Sequence, residues 1–258
     1  MLHSLRSRLT ARFVSRVLLA AGYTLLVTLG SSSIQRRQYA ADNPPYDGSF
    51  TFTRIAYGGY SGFRRGYSNS WAHDYPAADR NMHYILDFFT YVRTPGQNTS
   101  VLTLDDPAIF RAPLIYISEP GFWAASDEDL QNLRTYVLKG GMVIFDDFEA
   151  DQWYNMADNV RRALPEYEWI EIGPDHKIFQ SFFQVDDIYV PHPLVSVTPR
   201  YWALFEDNDP NRRIMVLANH NSDLAEYWEW SGRGFFPLDM TNEAFKLGVN
   251  YIVYSLTH

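Results

Sequence analysis

Asp127–Asp147 reads DEDLQNLRTYVLKGGMVIFDD. It holds a helix, a glycine turn and a buried strand that ends in two carboxylates. Leu130, Leu133 and Val137 recur at i, i+3 and i+7, which is one face of a helix. Ser126 precedes them, and Asp129 follows three residues on, a variant of the capping box. Gly140 and Gly141 supply the positive φ that stops the helix. Met142–Phe145 is apolar without alternation, as a strand covered on both faces must be. Asp146 and Asp147 then stand at its C-terminal end, the side of an open α/β sheet where ligands bind.

Outward from this unit, the order of elements continues in the same manner. Phe50–Tyr57 alternates and is rich in aromatic and β-branched residues, so it reads as the first strand. The glycine-rich stretch 58–66 follows it and reads as a rim loop, since no Lys-Ser/Thr pair or dinucleotide-binding spacing accompanies it. Pro76 and Asp79 suit the first turn of a helix whose buried stripe is Met82, Ile85, Leu86, Phe89 and Val92. Short strands are expected at Val101–Leu104 and Leu114–Ile117. Beyond the opening unit come a helix at Asn155–Leu164, a strand at Trp169–Ile172 and a buried strand at Arg213–Ala218. Thr241 is expected to cap a last helix, with Gly248 in a stripe of small residues that lies close to the sheet. Alternation of β and α predicts a three-layer α/β/α domain with a mostly parallel sheet.

The N-terminus differs from the body. Residues 1–41 contain six arginines and no acid. Taking those from the chain total of 22 Lys and Arg leaves 16 against all 30 Asp and Glu in residues 42–258, a net of −14. So acidic a body lacks the basic footprint that nucleic acid requires. Val17–Gly30 is apolar and uncharged behind Arg6, Arg8, Arg12 and Arg16. This is the pattern of a secretory signal, and shorter than the roughly 20 residues of a spanning helix. The expected division is 1–33 as a signal peptide or N-terminal membrane anchor, 34–49 as a linker and 50–258 as the α/β domain. The expected location is the periplasm, either soluble after cleavage or held on the inner membrane. Cysteine is absent, which excludes disulfides, thiolate metal sites and a cysteine nucleophile.

Three stretches, YVLKGGMVIFDD, DHKIFQSFFQVDDIY and RIMVLANH, together resemble the class I glutamine amidotransferase-like (flavodoxin-like) superfamily, near its trehalose-utilisation-like branch. Residues 50–257 resemble the bacterial domain of unknown function 4159 family placed in that fold, with YPAADRN, GGMVIFDD and LGVNYIVYSL as the nearest pieces. The resemblance implies the fold. It does not carry over the chemistry, because an amidotransferase needs a cysteine activated by a histidine, and no Gly-x-Ser-x-Gly elbow replaces it.

The candidate catalytic residues are Asp146, Asp147, His176 and His220. The histidines are those the resemblance places beside the acids, and an Asp–His pair suits acid–base chemistry. Asp146 or Asp147, His176 and His220 are expected to converge at the C-terminal ends of the strands. Adjacent residues on a strand face opposite ways, so only one of the two aspartates should enter a given crevice. Asp79, Asn81, Asp187, Asn219 and Asn221 are candidate ligand-binding residues around it. Trp228 and Trp230, beside Glu226 and Glu229, have the composition of a sugar-stacking surface, and strand alternation would put both indoles on one face. No HExxH or other compact ligand spacing is present, so no metal and no cofactor are assigned. Two functions remain open. The first is a non-catalytic envelope module that binds a small molecule or a protein. The alternative is a hydrolase acting on a carbohydrate-like substrate through the Asp and His residues.

Overall fold

Seven strands lie in one sheet in the order β2-β1-β3-β4-β7-β6-β5. They are β1 Thr53–Ile55, β2 Ser100–Leu102, β3 Leu114–Ser118, β4 Met142–Phe148, β5 Ile170–Ile172, β6 Arg200–Phe205 and β7 Ile214–His220. This computed structural model describes residues 43–58 and 69–258. The arginine-rich N-terminal segment and nearly all of the glycine-rich loop therefore lie outside the described residues. Strands β2, β1, β3, β4 and β7 are parallel. Strands β6 and β5 run antiparallel at one end, so the sheet is mixed though mostly parallel.

Among the described residues five α-helices accompany the strands: α1 Ala77–Phe89, α2 Asp127–Leu138, α3 Gln152–Ala163, α4 Leu224–Glu229 and α5 Leu238–Thr257. Alternation along β3 and β4 divides the core between two faces. Leu114, Tyr116, Met142 and Ile144 pack with Met82, Trp228 and Tyr251 beneath α1, α4 and α5. Ile115, Ile117, Val143 and Phe145 are equally buried, and their side chains point to the opposite face. The chain from Asn43 belongs to the same unit, since the Asn43 amide pairs with both backbone groups of Val101 on β2. No helix among the described residues is long and apolar enough to cross a membrane.

Local chemistry sets the boundaries. Ser126 and Asp129 form the full capping box of α2. Gly140 alone takes the positive φ, +108°, with open space around it. Gly141 does different work from that expected: a Cβ there would lie 2.2 Å from Cζ of Tyr136, whose hydroxyl donates to Ala112 O and Met142 O. Gly248 permits close approach of Met82 on α1 and Trp228 on α4, not of the sheet. Thr241 lies inside α5 and its hydroxyl donates back to Pro237 O, so it is not the cap. Phe89 is exposed and Val92 lies past the end of α1.

Candidate functional site

The first strand leads to the site through a buried ion pair. Arg54 on β1 is wholly buried and holds Asp79 on α1 with two nitrogens, at 2.7 and 3.3 Å. The same guanidinium donates to the carbonyls of Trp71 (3.1 Å) and His73 (2.6 Å). A charge so placed is tolerable only when every donor finds an acceptor. Its consequence is that the loop carrying His73 and Asp74 is clamped over the C-terminal ends of the parallel strands.

Strand β4 continues through Asp146 and Asp147 to Phe148, but its register against β7 shifts between Phe145 and Phe148. Asp147 has φ +60° there. This is a bulge, which re-aims a side chain out of the ladder. Asp146 turns inward. Its oxygens accept from Tyr116 Oη (2.6 Å), Asn219 Nδ2 (2.9 Å) and the N–H groups of Leu224 and Ala225, and burial pushes its pKa up to about 7. Asp147 turns to the crevice, where Oδ2 accepts from His73 Nδ1 at 2.8 Å and Ser118 Oγ at 3.2 Å. The two aspartates part as expected, but through the bulge and not through regular strand alternation.

Around Asp147 the acids accumulate. Asp74 Oδ2 is 3.4 Å from His73 Nδ1, and its side chain is fully buried. Asp223 is buried and caps α4 through Oδ1, which accepts from Glu226 N. Ligand atoms of His73, Asp74, Asp147 and Asp223 all lie within 4.8 Å of one another, and so do those of Asp74, Glu226 and Glu229. Both oxygens of Asp74 and Oδ2 of Asp223 are buried without a hydrogen-bond partner. His192 is buried beside them, with Nε2 3.9 Å from both Asp147 and Glu149 carboxylates.

The electrostatics follow from this crowding. The hydrogen bond to Asp147 and then the nearby Asp74 carboxylate hold the His73 imidazolium up at about 12. Burial, with Asp147 nearby, raises Glu119 to about 7. Burial and the adjacent Asp74 raise Glu226 to about 7, and burial beside Asp147 and Asp74 raises Asp223 well above the usual carboxylate range. Asp74, Glu119, Asp147, Ala150 and Asn221 all have positive φ without being glycine. Left-handed backbone at such residues costs energy and clusters at functional sites.

Over the matched region a family model described as "Domain of unknown function (DUF4159)" covers residues 51–256. The chain belongs to the DUF4159 family. A search of curated proteins finds no match.

In this DUF4159 chain the sequence candidates scatter. Asp147 is in the site, with Asp146 directly behind it. His220 stacks on Phe148 and Trp153 and bonds Ala150 O through Nε2; burial lowers its pKa. His176 packs on Phe205 and Tyr254. The Tyr254 hydroxyl receives the N–H of Ile214, the first residue of β7, so His176 is at the opposite edge, roughly 20 Å from His220 at the strand rise per residue. The expected convergence of His176 with His220 and the aspartates is not found.

The binding candidates resolve similarly. Asp79 is occupied by Arg54. Asn81 donates to Trp228 O and Glu229 O and ties down α4. Asn219 supports Asp146, and Asn221 joins Ala150 N to Thr198 O. Asp187 closes its own turn on Tyr189 N. Trp228 and Trp230 flank the end of a helix, where neighbours two apart point about 200° apart, so they do not form one face. Trp228 is buried against Phe245, and Trp230 packs on Phe235.

His73, Asp223 and His192 had no sequence signal as a group. Asp74 stood beside a helix start, and Glu226 and Glu229 beside the indoles, but nothing local connects them.

Proposed function

We propose that this DUF4159 chain is a hydrolase of the cell envelope that takes a small, hydroxyl-rich substrate of carbohydrate type at the C-terminal edge of its parallel strands. The observation that carries this reading is the meeting of His73, Asp74, Asp147, Asp223 and Glu226, with buried carboxylate oxygens that no protein donor satisfies. An ionised carboxylate only accepts hydrogen bonds and a protonated one also donates, so the complement of this crevice carries both donors and acceptors, as a polyol does. The crevice also lies where strand order reverses, between β1 and β3, the usual seat of ligands in such sheets.

The chain has no cysteine, and the Ser118 hydroxyl is buried and donates to Asp147 rather than to a histidine. The hydrolytic step therefore falls to carboxyl groups, one as base or nucleophile and a second as proton donor. The lack of cysteine on an amidotransferase-like arrangement supports a second reading, a module that binds the same ligand without turning it over. The amidotransferase-like ancestry and export through the N-terminal segment belong to this proposal. The arginine-rich start followed by an apolar run supports export.

The test is a thermal-shift screen of the full chain with mono- and oligosaccharides, followed by hydrolysis assays on the hits. A hit that stabilises the wild type and fails to stabilise Asp147→Asn supports the site, and turnover of it supports the hydrolase. Stabilisation without turnover selects the binding module. A hit that Asp147→Asn binds equally well removes the site from the proposal.

A further inference from the structure

Three carboxylates and one imidazole from three separate segments of the chain meet at the strand ends. His73 and Asp74 come from the loop after β1, Asp147 from the bulge of β4, and Asp223 from the turn after β7. We propose that this cluster is a binding site for one divalent metal ion of the Mn2+ or Zn2+ class, held by His73, Asp74, Asp147 and Asp223. The inference rests on the reading of this crevice as the functional site and adds the ion that would organise it.

The first support is size. One donor atom of each residue lies within 4.8 Å of all the others. Donors at about 2.0–2.2 Å from one tetrahedral ion lie roughly 3.3–3.6 Å apart, so the most distant pairs need to close by at most about 1.5 Å, within reach of side-chain rotation. The second is the set of unsatisfied atoms. Both Asp74 oxygens and Asp223 Oδ2 are buried without a hydrogen-bond partner, and the Asp74 side chain has no exposure at all. A buried, unpaired carboxylate costs free energy unless it meets a cation. The third is charge. Arg54, the buried guanidinium closest in the chain to this loop, is committed to Asp79 and two carbonyls. Among the described residues, the side chains that ion pairs bring to Asp74 and Asp147 are imidazoles: His73 Nδ1, at 3.4 and 2.8 Å, and His192 Nε2, at 3.9 Å from Asp147.

The donor set selects the ion. One imidazole nitrogen with three carboxylates suits Zn2+ or Mn2+. Ca2+ prefers six to eight oxygens and Mg2+ keeps most of its water. Asp147 is oriented by Ser118 Oγ and Asp223 by Glu226 N, the supporting bonds that metal ligands need. An ion here would lower the pKa of a bound water and make a nucleophile without a serine or cysteine.

The experiment uses the full chain, stripped with a chelator and then titrated with Mn2+ alone. Free Mn2+ is followed by electron paramagnetic resonance, and Zn2+, Mg2+ and Ca2+ are compared by thermal shift. The expected result is one saturable Mn2+ site, competed by Zn2+. Asp223→Asn and Asp74→Asn each weaken it about tenfold or more, while melting no lower than the stripped wild type, because the amide keeps the shape and an acceptor oxygen of the carboxyl it replaces. Asp187→Asn, in an exposed turn, leaves binding unchanged. Lack of saturable binding overturns the inference, as does binding that both variants retain. Variants that lose binding only because they no longer fold are recognised by their melting curves, and His73→Ala then decides. The two readings fail separately. Sugar hydrolysis by stripped, chelated protein would overturn the ion and keep the hydrolase. A bound ion with no effect of sugars or esters on melting would keep the ion and remove the hydrolase.

Discussion

Two histidines sit beside an aspartate in the sequence, His73 before Asp74 and His176 after Asp175, and they occupy opposite edges of the sheet. At the strand-end edge His73 is bonded to Asp147 and lies close to Asp74, and these carboxylates hold it protonated, up at about 12. At the other edge His176 Nδ1 accepts from Ile178 N–H, its Nε2 is buried without a partner, and burial, with Lys177 next to it, brings it down to about 4. Adjacency in sequence is the same in both cases. The difference teaches that one adjacent aspartate does not decide a histidine's charge: a second carboxylate brought by the fold holds His73 protonated, while burial keeps His176 neutral.

The comparison can be broken most severely at Arg54. Arg54→Met leaves Asp79 buried and unpaired and frees the carbonyls of Trp71 and His73, so unfolding free energy should fall by about 3–5 kcal/mol. In the folded fraction, the His73 ring should titrate nearer to ordinary imidazole, read by NMR. Adding Asp79→Leu should return much of the stability; a double variant as unstable as the single one would show that the ion pair is not the clamp.

At the opposite edge, Gly141→Val drives a branched side chain into the Tyr136 ring. We expect a loss of about 1–3 kcal/mol by denaturant unfolding. Gly140→Ala, which meets open space but must hold φ +108°, should cost no more than about 1 kcal/mol. Equal effects at the two positions would mean that backbone conformation, and not the ring, sets the constraint.

A gentler change sharpens the strand-end side. Glu226→Gln replaces one of two abutting carboxyls with an amide that can donate to Asp74. The metal-free protein should gain about 0.5–1 kcal/mol, seen as a higher melting temperature. A lower one would mean that Glu226 is needed in its acidic form to hold α4.

The smallest effect concerns His176. Its folded pKa, about 4, lies below the ordinary 6.5, so the unfolded chain binds the extra proton first. The stability it permits is complete above about pH 6.5 and is lost as pH falls through about 4. His176→Phe should therefore flatten the wild-type decline across that window, measured as the difference between the two pH–stability curves. Parallel curves would show that His176 is not buried neutral.

Much of the fold was legible because its signals are local. The capping box at Ser126, the stop at Gly140 and the apolar run of β4 each lie within a few residues, and β–α alternation implies parallel pairing. Strand β6, Arg200–Phe205, was not read at all, and its antiparallel direction had no local signal either, since pairing direction is set by the neighbouring strand and not by the residues of the strand. The site was legible only in part. Asp147 was read from its place at the end of β4. His220 was misplaced because the aromatic stack of Phe148 and Trp153 claims its ring, and His176 because its segment folds to the other edge.

What the sequence by itself determined is therefore the α/β order, the acidic body without cysteine, and the presence of carboxylates at strand ends. These depend on periodicity, turn chemistry and composition, which a short window contains. Only the tertiary structure decided which acids share a crevice. His73 and Asp147 are 74 residues apart in the chain, and they meet because Arg54 pins one loop while the bulge in β4 turns the other side chain. Neither event is written in the residues next to them.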